Sequence, residues 1–186
     1  VLFDIIQTRG LGILSHALPS ALTELTAAAD VFPAPTREGR RKLATQRYRA
    51  WCKANKIASV AKYFGKRWTD GPYPEIGQFQ AKAAAIRSMV YWFKDICNSA
   101  AGTLHGRLRA TMMNAFVEAD EIQRRSGRHL APEAQANLAA AIERALCAYN
   151  ALAAEAIGAG VKLWKLIPKH HAMTHIAYDN GGTNPR

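Results

Sequence analysis

Apolar residues recur at steps of three and four positions through most of this 186-residue chain. That spacing places them along one face of an α-helix, and no run shows the alternation expected of half-buried strands. Proline and glycine interrupt the pattern at "VFPAPTREG", at "TDGPYP" and at Gly102 and Gly127, where helices are expected to end. The spacing therefore predicts an all-α fold, an irregular bundle of five to seven helices with two or three long antiparallel helices.

The clearest apolar stripe lies in a long helix predicted from about residue 75 to residue 101. Its members are Ile76, Phe79, Ala83, Ile86, Val90, Phe93 and Cys97. A second long helix is expected over about Leu104–Ser126. A third is expected from Pro132, a first-turn proline, to about Leu166, with a bend at Gly158 or Gly160, and a short helix follows Pro168.

These elements predict one domain with three parts. Residues 1–36 form an apolar N-terminal arm with a broken helix, in which Ser20 is expected to cap a new helix. Residues 37–70 form a basic helical segment. Residues 71–186 form the core of the bundle, with a histidine-containing helix at the C-terminal end.

Positive charge is concentrated in the basic segment. The formal net charge is +11, and Arg37–Trp68 holds eleven Lys or Arg against one acid, Glu38, whereas the rest of the chain is nearly neutral. Such a local excess favours an acidic partner, which can be nucleic acid, an anionic membrane or an acidic protein surface. Composition does not choose among the three.

The basic segment contains "RRKLATQRYRAWCKANK", predicted to be helical from Arg40 to Lys56. At 100° per residue, Trp51, Tyr48 and Ala44 fall on one side, which is expected to dock on the body of the protein. Four cations fall on the opposite side and are expected to face outward: Lys42, Arg49, Lys53 and Lys56. Because the aromatic residues lie opposite the cations, we interpret them as core residues and not as platforms for base stacking.

Two interpretations of the charged face remain open. A run of charges is usually a solvated surface. A solvated helix normally mixes signs, however, and like charges four residues apart, such as Arg49 and Lys53, destabilise a helix by roughly 0.2–0.5 kcal/mol unless a polyanion neutralises them. The residues expected to contact phosphates are Arg40, Arg41, Lys42, Arg47, Arg49, Lys53, Lys56, Lys62, Lys66 and Arg67.

A second dense group is "PKHHAMTHIAYDN", from residue 168 to residue 180. His171, His175 and Asp179 are spaced by four, so one helical face would present two imidazoles and a carboxylate, ligands that zinc and iron accept. Asp179 precedes Asn-Gly-Gly, where the helix is expected to end, and hydrogen-bonded structural histidines are more common than metal sites. We favour a structural role without a cofactor, with a zinc or iron site as the alternative.

Catalytic motifs are missing from the sequence, since G-x-S-x-G, the P-loop and G-x-G-x-x-G do not occur. The acids Glu118, Asp120 and Glu121 lie near Arg124 and Arg125 and are interpreted as salt-bridge partners on a helix. We therefore expect a non-catalytic domain that binds nucleic acid through phosphate contacts. The alternative is a structural subunit of a larger assembly that contacts acidic protein or lipid surfaces.

The cysteines bear on the compartment. Cys52, Cys97 and Cys147 form no C-x-x-C pair, and their odd number argues against a disulfide framework. We expect reduced thiols and an intracellular, reducing compartment, which can be the nucleus or an organelle. No apolar run approaches the roughly 20 residues that span a bilayer.

Several short segments together resemble a known group of sequences. They are "YRAWCKANK" from Tyr48, "YPEI" from Tyr73, "LWKLIPKHHAMTHI" from Leu163 and the closing "NPR". Over about Tyr48–Arg186 the chain resembles uncharacterised, multicopy, mobile-element-like open reading frames of protist genomes. It is more distantly similar to the helical region before the last catalytic acid of RNase H-like transposases, but it shows neither that acid nor the strand-borne aspartates. The resemblance implies a helical, DNA-associated portion without its own chemistry.

Overall fold

The computed structural model describes residues 12–59, 63–70, 73–76 and 83–178; for residues 67, 83, 84, 176 and 177 it describes the backbone alone. Within these residues the chain forms seven α-helices and no strand, which confirms the all-α prediction. Their bounds are α1 Leu14–Leu25, α2 Arg37–Ala54, α3 Lys66–Thr69, α4 Ala83–Ser99, α5 Leu104–Arg125, α6 Pro132–Gly158 and α7 Lys169–Tyr178. None of the helices so described is both long and apolar enough to cross a membrane.

The long helices α4 and α5 run antiparallel. Near the end of α4, Asn98 exchanges two side-chain hydrogen bonds with Asn114 of α5 (3.1 and 2.8 Å). Earlier in α4, the hydroxyl of Tyr91 donates to Asp120, which lies later in α5 (Oη–Oδ2 2.8 Å). Contacts that move forward along one helix and backward along the other require opposite chain directions.

Helices α5 and α6 are antiparallel as well. His105 at the start of α5 contacts Glu155 near the end of α6 (Nδ1–Oε2 2.5 Å). Further along α5, Glu118 accepts a hydrogen bond from Arg144, which is closer to the start of α6 (2.6 Å). The buried face of α6 is rich in small side chains, which allows close approach: Ala141, Ala145, Ala148, Ala153 and Ala156.

Helix α1 lies in the core and continues through a proline. Pro19 has no N–H, so the carbonyl of Ser15 loses its intrahelical donor. The backbone N–H of Ile76 donates to that carbonyl instead (2.8 Å). The predicted new helix at Ser20 is therefore wrong: Ser20 lies inside α1, and its Oγ accepts from the backbone N–H of Trp164 (3.0 Å).

The arm expected in residues 1–36 contains α1 and the turn that leads to α2, and residues 1–11 lie outside the described part of the chain. The apolar side chains of α1 do not protrude. Ten of its twelve residues are buried, in contact with α4 and α3. The described portion of the arm is thus part of the bundle core.

Helix α2 begins and ends with its backbone groups satisfied. At its start, the side chain of Thr36 accepts a hydrogen bond from the backbone N–H three residues later (3.0 Å). At its end, the backbone N–H of Lys56 donates to the carbonyl oxygen of Lys53 (3.3 Å). The backbone N–H of Ile57 donates to the carbonyl oxygen of Cys52 (2.9 Å). This turn places Lys56 at φ 54°, a left-handed conformation that glycine usually occupies.

One face of α2 docks on an aromatic cluster, as the helical spacing predicts. Ala44 and Tyr48 are fully buried, and Trp51 is half-buried. The ring of Tyr48 lies 5.4 Å from that of Trp92 and 5.5 Å from that of Phe64, at the tilted angles that aromatic pairs prefer. The orientation of α2 on the bundle is therefore fixed by buried aromatic packing.

Helix α6 ends earlier than the sequence predicted. It stops at Gly158, and Gly160 follows at φ 68° in the same type of turn as at the end of α2, with the N–H of Val161 donating to the carbonyl of Ala156 (2.8 Å). A residue in the left-handed region cannot continue a right-handed helix. The predicted continuation to about Leu166 is therefore wrong, because the glycines end the helix and do not bend it.

Candidate nucleic-acid interface

The outer face of α2 and the turn that ends this helix carry the cations that the helical spacing predicted to be exposed. Lys42, Arg49, Lys53 and Lys56 are all exposed, and we call these four residues the basic ridge. Lys66, at the start of α3, is exposed as well. Because the opposite face of α2 is docked on buried aromatic rings, the backbone that carries the ridge is held in place by the core.

One end of the ridge is paired with an acid. The Nζ of Lys42 lies 3.1 Å from the Oε1 of Glu38, one turn earlier in α2. The hydrogen bond from Lys42, with the attraction between the charges, lowers the pKa of Glu38 and raises the pKa of Lys42. Both side chains are exposed, so salt screens this pair and it adds little to stability. Arg49 also has an interaction partner within the chain.

The other end of the ridge carries lysines, Lys53 and Lys56, that have no carboxylate partner among the described residues. Within the part of the chain that the structure describes, no ion pair involves Lys53 or Lys56. Lys66 forms none there either, but it belongs to the opposite end of α2, where its charge helps to lower the pKa of Glu38. The nearest like charge in α2 is Arg49, one turn before Lys53. The C-terminal half of the ridge is therefore a concentration of exposed positive charge.

Arg40 lies elsewhere and supports the fold. Its Nε donates to the carbonyl of Thr26 (2.6 Å) and its Nη2 to that of Ala27 (3.1 Å), directly after α1 ends. Its Nη1 donates to the carbonyl of Ala34 (3.1 Å). A cation on carbonyls at a helix C-terminus satisfies acceptors that the helix leaves open. Arg40 thus ties α2 to the end of α1.

Arg47 is exposed but bound to the same turn. Its Nη1 donates to the carbonyl of Val31 (2.8 Å), and its guanidinium carbon lies 5.3 Å from the centre of the Phe32 ring. Hydrogen bonding and cation–π contact both hold the side chain against the protein. Any phosphate contact by Arg47 would have to share a guanidinium already in use.

Arg41 lies inside the protein, with 3% of its surface exposed. Its Nη1 donates to Thr69 (Oγ1, 3.0 Å) and to Asp70 (Oδ1, 3.4 Å), and Arg37 lies 3.8 Å from the same carboxylate. Removing Asp70 would leave a buried cation without its counter-charge, so this contact belongs to the fold. The structure places Arg41 in an internal ion pair and away from the expected contact surface.

The remaining two predicted contacts fall on the less described part of the chain. Lys62 lies outside the described residues, and only the backbone of Arg67 is described. The ten residues predicted as phosphate contacts therefore comprise five exposed cations on or next to the ridge, three arginines bound within the protein, and these two.

The histidine group is partly described. The Nε2 atoms of His171 and His175 lie 2.9 Å apart, and the rings meet edge to face, so one imidazole donates to the other. Asp179, the third predicted ligand, lies outside the described residues. Among the residues that are described, no group of three or more His, Cys, Asp or Glu is placed to hold a metal ion.

A cleft of about 360 Å³ lies between the end of α2 and the helices α4 and α5. Its walls include two aromatic residues, Trp51 and Tyr91, and three charged ones, Arg87, Asp120 and Arg124. No local pattern in the sequence indicates this cleft, because its three walls are far apart along the chain. The available signal was the position of Trp51 at the C-terminal end of the docked face, next to the last lysines of the ridge.

The acids of α5 find different partners. Glu121 pairs with Arg125 at 3.0 Å, four residues on, as predicted. Asp120 is fully buried and pairs with Arg87 of α4. The buried pair links two helices and sets one wall of the cleft, which spacing along α5 alone could not predict.

A comparison of the chain with protein-family models, with curated protein sequences and with solved structures finds no match.

Proposed function

We propose that the protein is a non-catalytic domain that binds nucleic acid through the phosphate backbone, with the basic ridge and Lys66 as its contact surface. The observation that carries the proposal is the presence of exposed lysines, Lys53, Lys56 and Lys66, that form no ion pair among the described residues. Neutralising phosphates with such cations releases condensed counterions, and this release drives sequence-independent binding.

The length of the ridge suits a nucleic-acid backbone. Lys42 and Lys56 are separated by fourteen residues, or about 21 Å along a helix. A duplex carries one charge per roughly 1.7 Å of its axis, so about twelve phosphates lie along that distance. Flexible lysines that reach phosphates position a protein on a duplex without reading its sequence. We therefore infer binding with little sequence preference.

The arginines that are bound within the protein are unsuitable for testing the proposal by substitution. Replacing Arg40 or Arg41 would remove contacts that hold α1, α2 and α3 together, so lost binding would be confounded with lost stability. Lys53 and Lys56 do not have this problem, since their side chains form no such contact with the described residues. The resemblance to mobile-element open reading frames makes double-stranded DNA the first ligand to test.

The experiment compares two variants with the same loss of charge. The ridge variant combines Lys53→Gln and Lys56→Gln, and the control variant combines Arg107→Gln and Lys162→Gln, which are exposed and lie outside the ridge. Each phosphate contact contributes about 0.9 to the exponent of the salt dependence, so two contacts are worth up to about 1.8 decades of affinity at 0.1 M salt. Binding of a random-sequence duplex is measured by fluorescence anisotropy.

We expect the ridge variant to bind at least about tenfold more weakly than the control variant. Equal affinities of the two variants would refute the ridge as the contact surface. In that case the outer face of α2 is only a solvated surface.

A second function, as a structural subunit, is favoured by a different surface. At the end of the bundle opposite the cleft, Leu104, Ile157 and Val161 are 64%, 67% and 48% exposed. The contact between His105 and Glu155 brings the ends of α5 and α6 together there. Neighbouring exposed apolar side chains are typical of interaction surfaces. Sedimentation velocity of the wild type and of Ile157→Ser tests whether this surface mediates assembly. Self-association of the wild type that the substitution abolishes would favour the structural-subunit function, and a monomeric wild type would argue against it.

A further inference from the structure

The cleft has the size and the lining of a small-ligand site. Its volume of about 360 Å³ falls within the range typical of such pockets. Trp51 forms part of its aromatic wall, and the indole N–H donates to Asp95 of α4 (Nε1–Oδ2 3.0 Å), which fixes the orientation of the ring. Tyr91 adds a second aromatic side chain. A planar ring is the ligand group that such walls accept best.

The charged groups of the cleft leave an excess of positive charge. Asp120 is fully buried; its Oδ1 accepts from the Nε of Arg87 and its Oδ2 accepts from the hydroxyl of Tyr91 (2.8 Å). Burial, followed by the hydrogen bond to Asp120, raises the pKa of Tyr91, so this hydroxyl keeps its proton. Arg124 is exposed and forms no ion pair with a carboxylate within the described residues, and its positive charge opposes the rise in the pKa of Tyr91. Two guanidinium groups thus face one carboxylate.

The cleft lies next to the basic ridge. Two of its lining residues, Asn55 and Ile57, flank Lys56 in the turn that ends α2. Trp51 precedes Lys53 by two residues and lies on the side of α2 that faces α4. Lys53 lies on the opposite side of α2, so Lys56 is the ridge residue beside the cleft. A strand with a phosphate on Lys56 would therefore pass the mouth of the cleft.

We propose that this cleft holds one unpaired nucleotide, with its base stacked on Trp51 and its phosphate bound by Arg124. The proposal rests on the function proposed above, because the ridge would hold the rest of the strand. It adds a ligand that the ridge alone does not select, namely a strand end or another nucleotide without a pairing partner. A fully paired duplex presents no free base to the cleft.

The first test uses a free nucleotide, which does not need the ridge. Adenosine 5′-monophosphate and inorganic phosphate are titrated into the full chain by calorimetry. Arg124→Gln removes the cleft cation, and Arg125→Gln is the matched control, since Arg125 is the adjacent residue and pairs with Glu121. We expect the nucleotide to bind more tightly than phosphate, and Arg124→Gln to weaken it about tenfold or more, as expected for a charge-assisted hydrogen bond, with Arg125→Gln unchanged.

The second test uses nucleic acid with and without an unpaired end. A duplex with a one-nucleotide 5′ overhang is compared with its blunt form, and we expect the overhang to raise affinity in the wild type but not in Arg124→Gln. Nucleotide binding that is no tighter than phosphate binding, or an equal loss in both arginine variants, overturns the proposal. If blunt duplex binding depends on Lys53 and Lys56 while the nucleotide does not bind, the ridge is right and the cleft is wrong. If the nucleotide binds but the duplex does not, the cleft is a nucleotide site and the ridge is not a duplex-binding surface.

Discussion

Replacing Lys56 by glycine should make the protein more stable and a weaker binder at the same time. Lys56 occupies the left-handed region at φ 54°, in the turn that ends α2. That conformation costs an L-residue roughly 1–2 kcal/mol, whereas glycine adopts it freely. The greater freedom of glycine in the unfolded chain offsets about 0.5–1 kcal/mol of this gain. Lys56→Gly should therefore stabilise the fold by about 0.5–1 kcal/mol, or about 1–4 °C in Tm for a chain of this length.

Binding should change in the opposite direction. Lys56 is exposed and unpaired among the described residues, so its loss removes one expected phosphate contact and about 0.9 from the salt exponent. Lys56→Ala separates the two effects, because it removes the same charge and keeps a Cβ in the left-handed conformation. The two variants should share one salt exponent, and Lys56→Gly should melt higher than Lys56→Ala.

The matching turn at the end of α6 provides a control for the backbone argument. Gly160 lies at φ 68°, and an added Cβ would meet no atom within 4 Å, so Gly160→Ala tests conformation without a steric clash. It should destabilise the protein by about 1 kcal/mol. The assays are thermal melts and anisotropy titrations at several salt concentrations. If Lys56→Gly is no more stable than Lys56→Ala, the strain argument fails; if it binds duplex like the wild type, Lys56 is not a phosphate contact.

The remaining predictions concern the start of α5. Burial alone would lower the pKa of His105, but hydrogen bonds to Glu155 and Glu24 outweigh it and raise the pKa above the usual 6.5. The charged imidazole should therefore stabilise the fold below the usual pKa, and this contribution should fall as pH rises through the raised one; the difference in Tm between wild type and His105→Gln measures it. Gly106→Ala places a Cβ 2.5 Å from the carbonyl oxygen of Ala100 and should cost about 1–2 kcal/mol in urea unfolding, despite the better helix propensity of alanine.

Each of these predictions has a matched control. His129 is exposed and lies after α5, away from the contacts of His105 with Glu24 and Glu155, so His129→Gln is the matched control substitution. A Tm difference for His105→Gln that grows from pH 6 to pH 9 would show that the ion pairs are not responsible. An added Cβ at Gly102 would meet no atom within 4 Å, so Gly102→Ala should be nearly neutral. Equal costs at both glycines would show that the close approach to Ala100 is not the cause.

The sequence predicted those features that depend on neighbours along one helix. The burial of Ala44 and Tyr48 and the exposure of Lys53 follow from 100° per residue, and the structure confirms them. The pairing of Glu121 with Arg125 follows from a spacing of four. These features need no knowledge of which helix lies next to which.

The features that the sequence did not predict depend on distant partners. Pro19 reads as a helix breaker unless it is known that Ile76 supplies a donor to the carbonyl of Ser15. Arg41, which the helical spacing places beside the docked face, is indistinguishable in the sequence from a free cation until Asp70 is placed beside it. The sequence shows which residue types are present, but only the fold shows which of these cations already have a partner within the protein.

The cleft shows the same limit. Arg87 and Asp120 are thirty-three residues apart, and Trp51 lies on a third helix, so no local motif indicates that they share one site. The interpretation of Trp51 as a core residue was half right, since the ring is half-buried and the rest of it faces the cleft. Residues at the edge of a docked helical face can serve both the core and a site.

The salt dependence of duplex binding by the wild-type protein tests the central claim most directly. The affinity for a random-sequence duplex is measured from 50 to 300 mM salt, and the logarithm of the association constant is plotted against the logarithm of the salt concentration. Five exposed cations, the basic ridge with Lys66, predict a slope of about −3 to −4.5, at roughly 0.9 for each phosphate neutralised. A slope near zero, or no duplex binding at 50 mM salt, would contradict the claim that these residues bind phosphates.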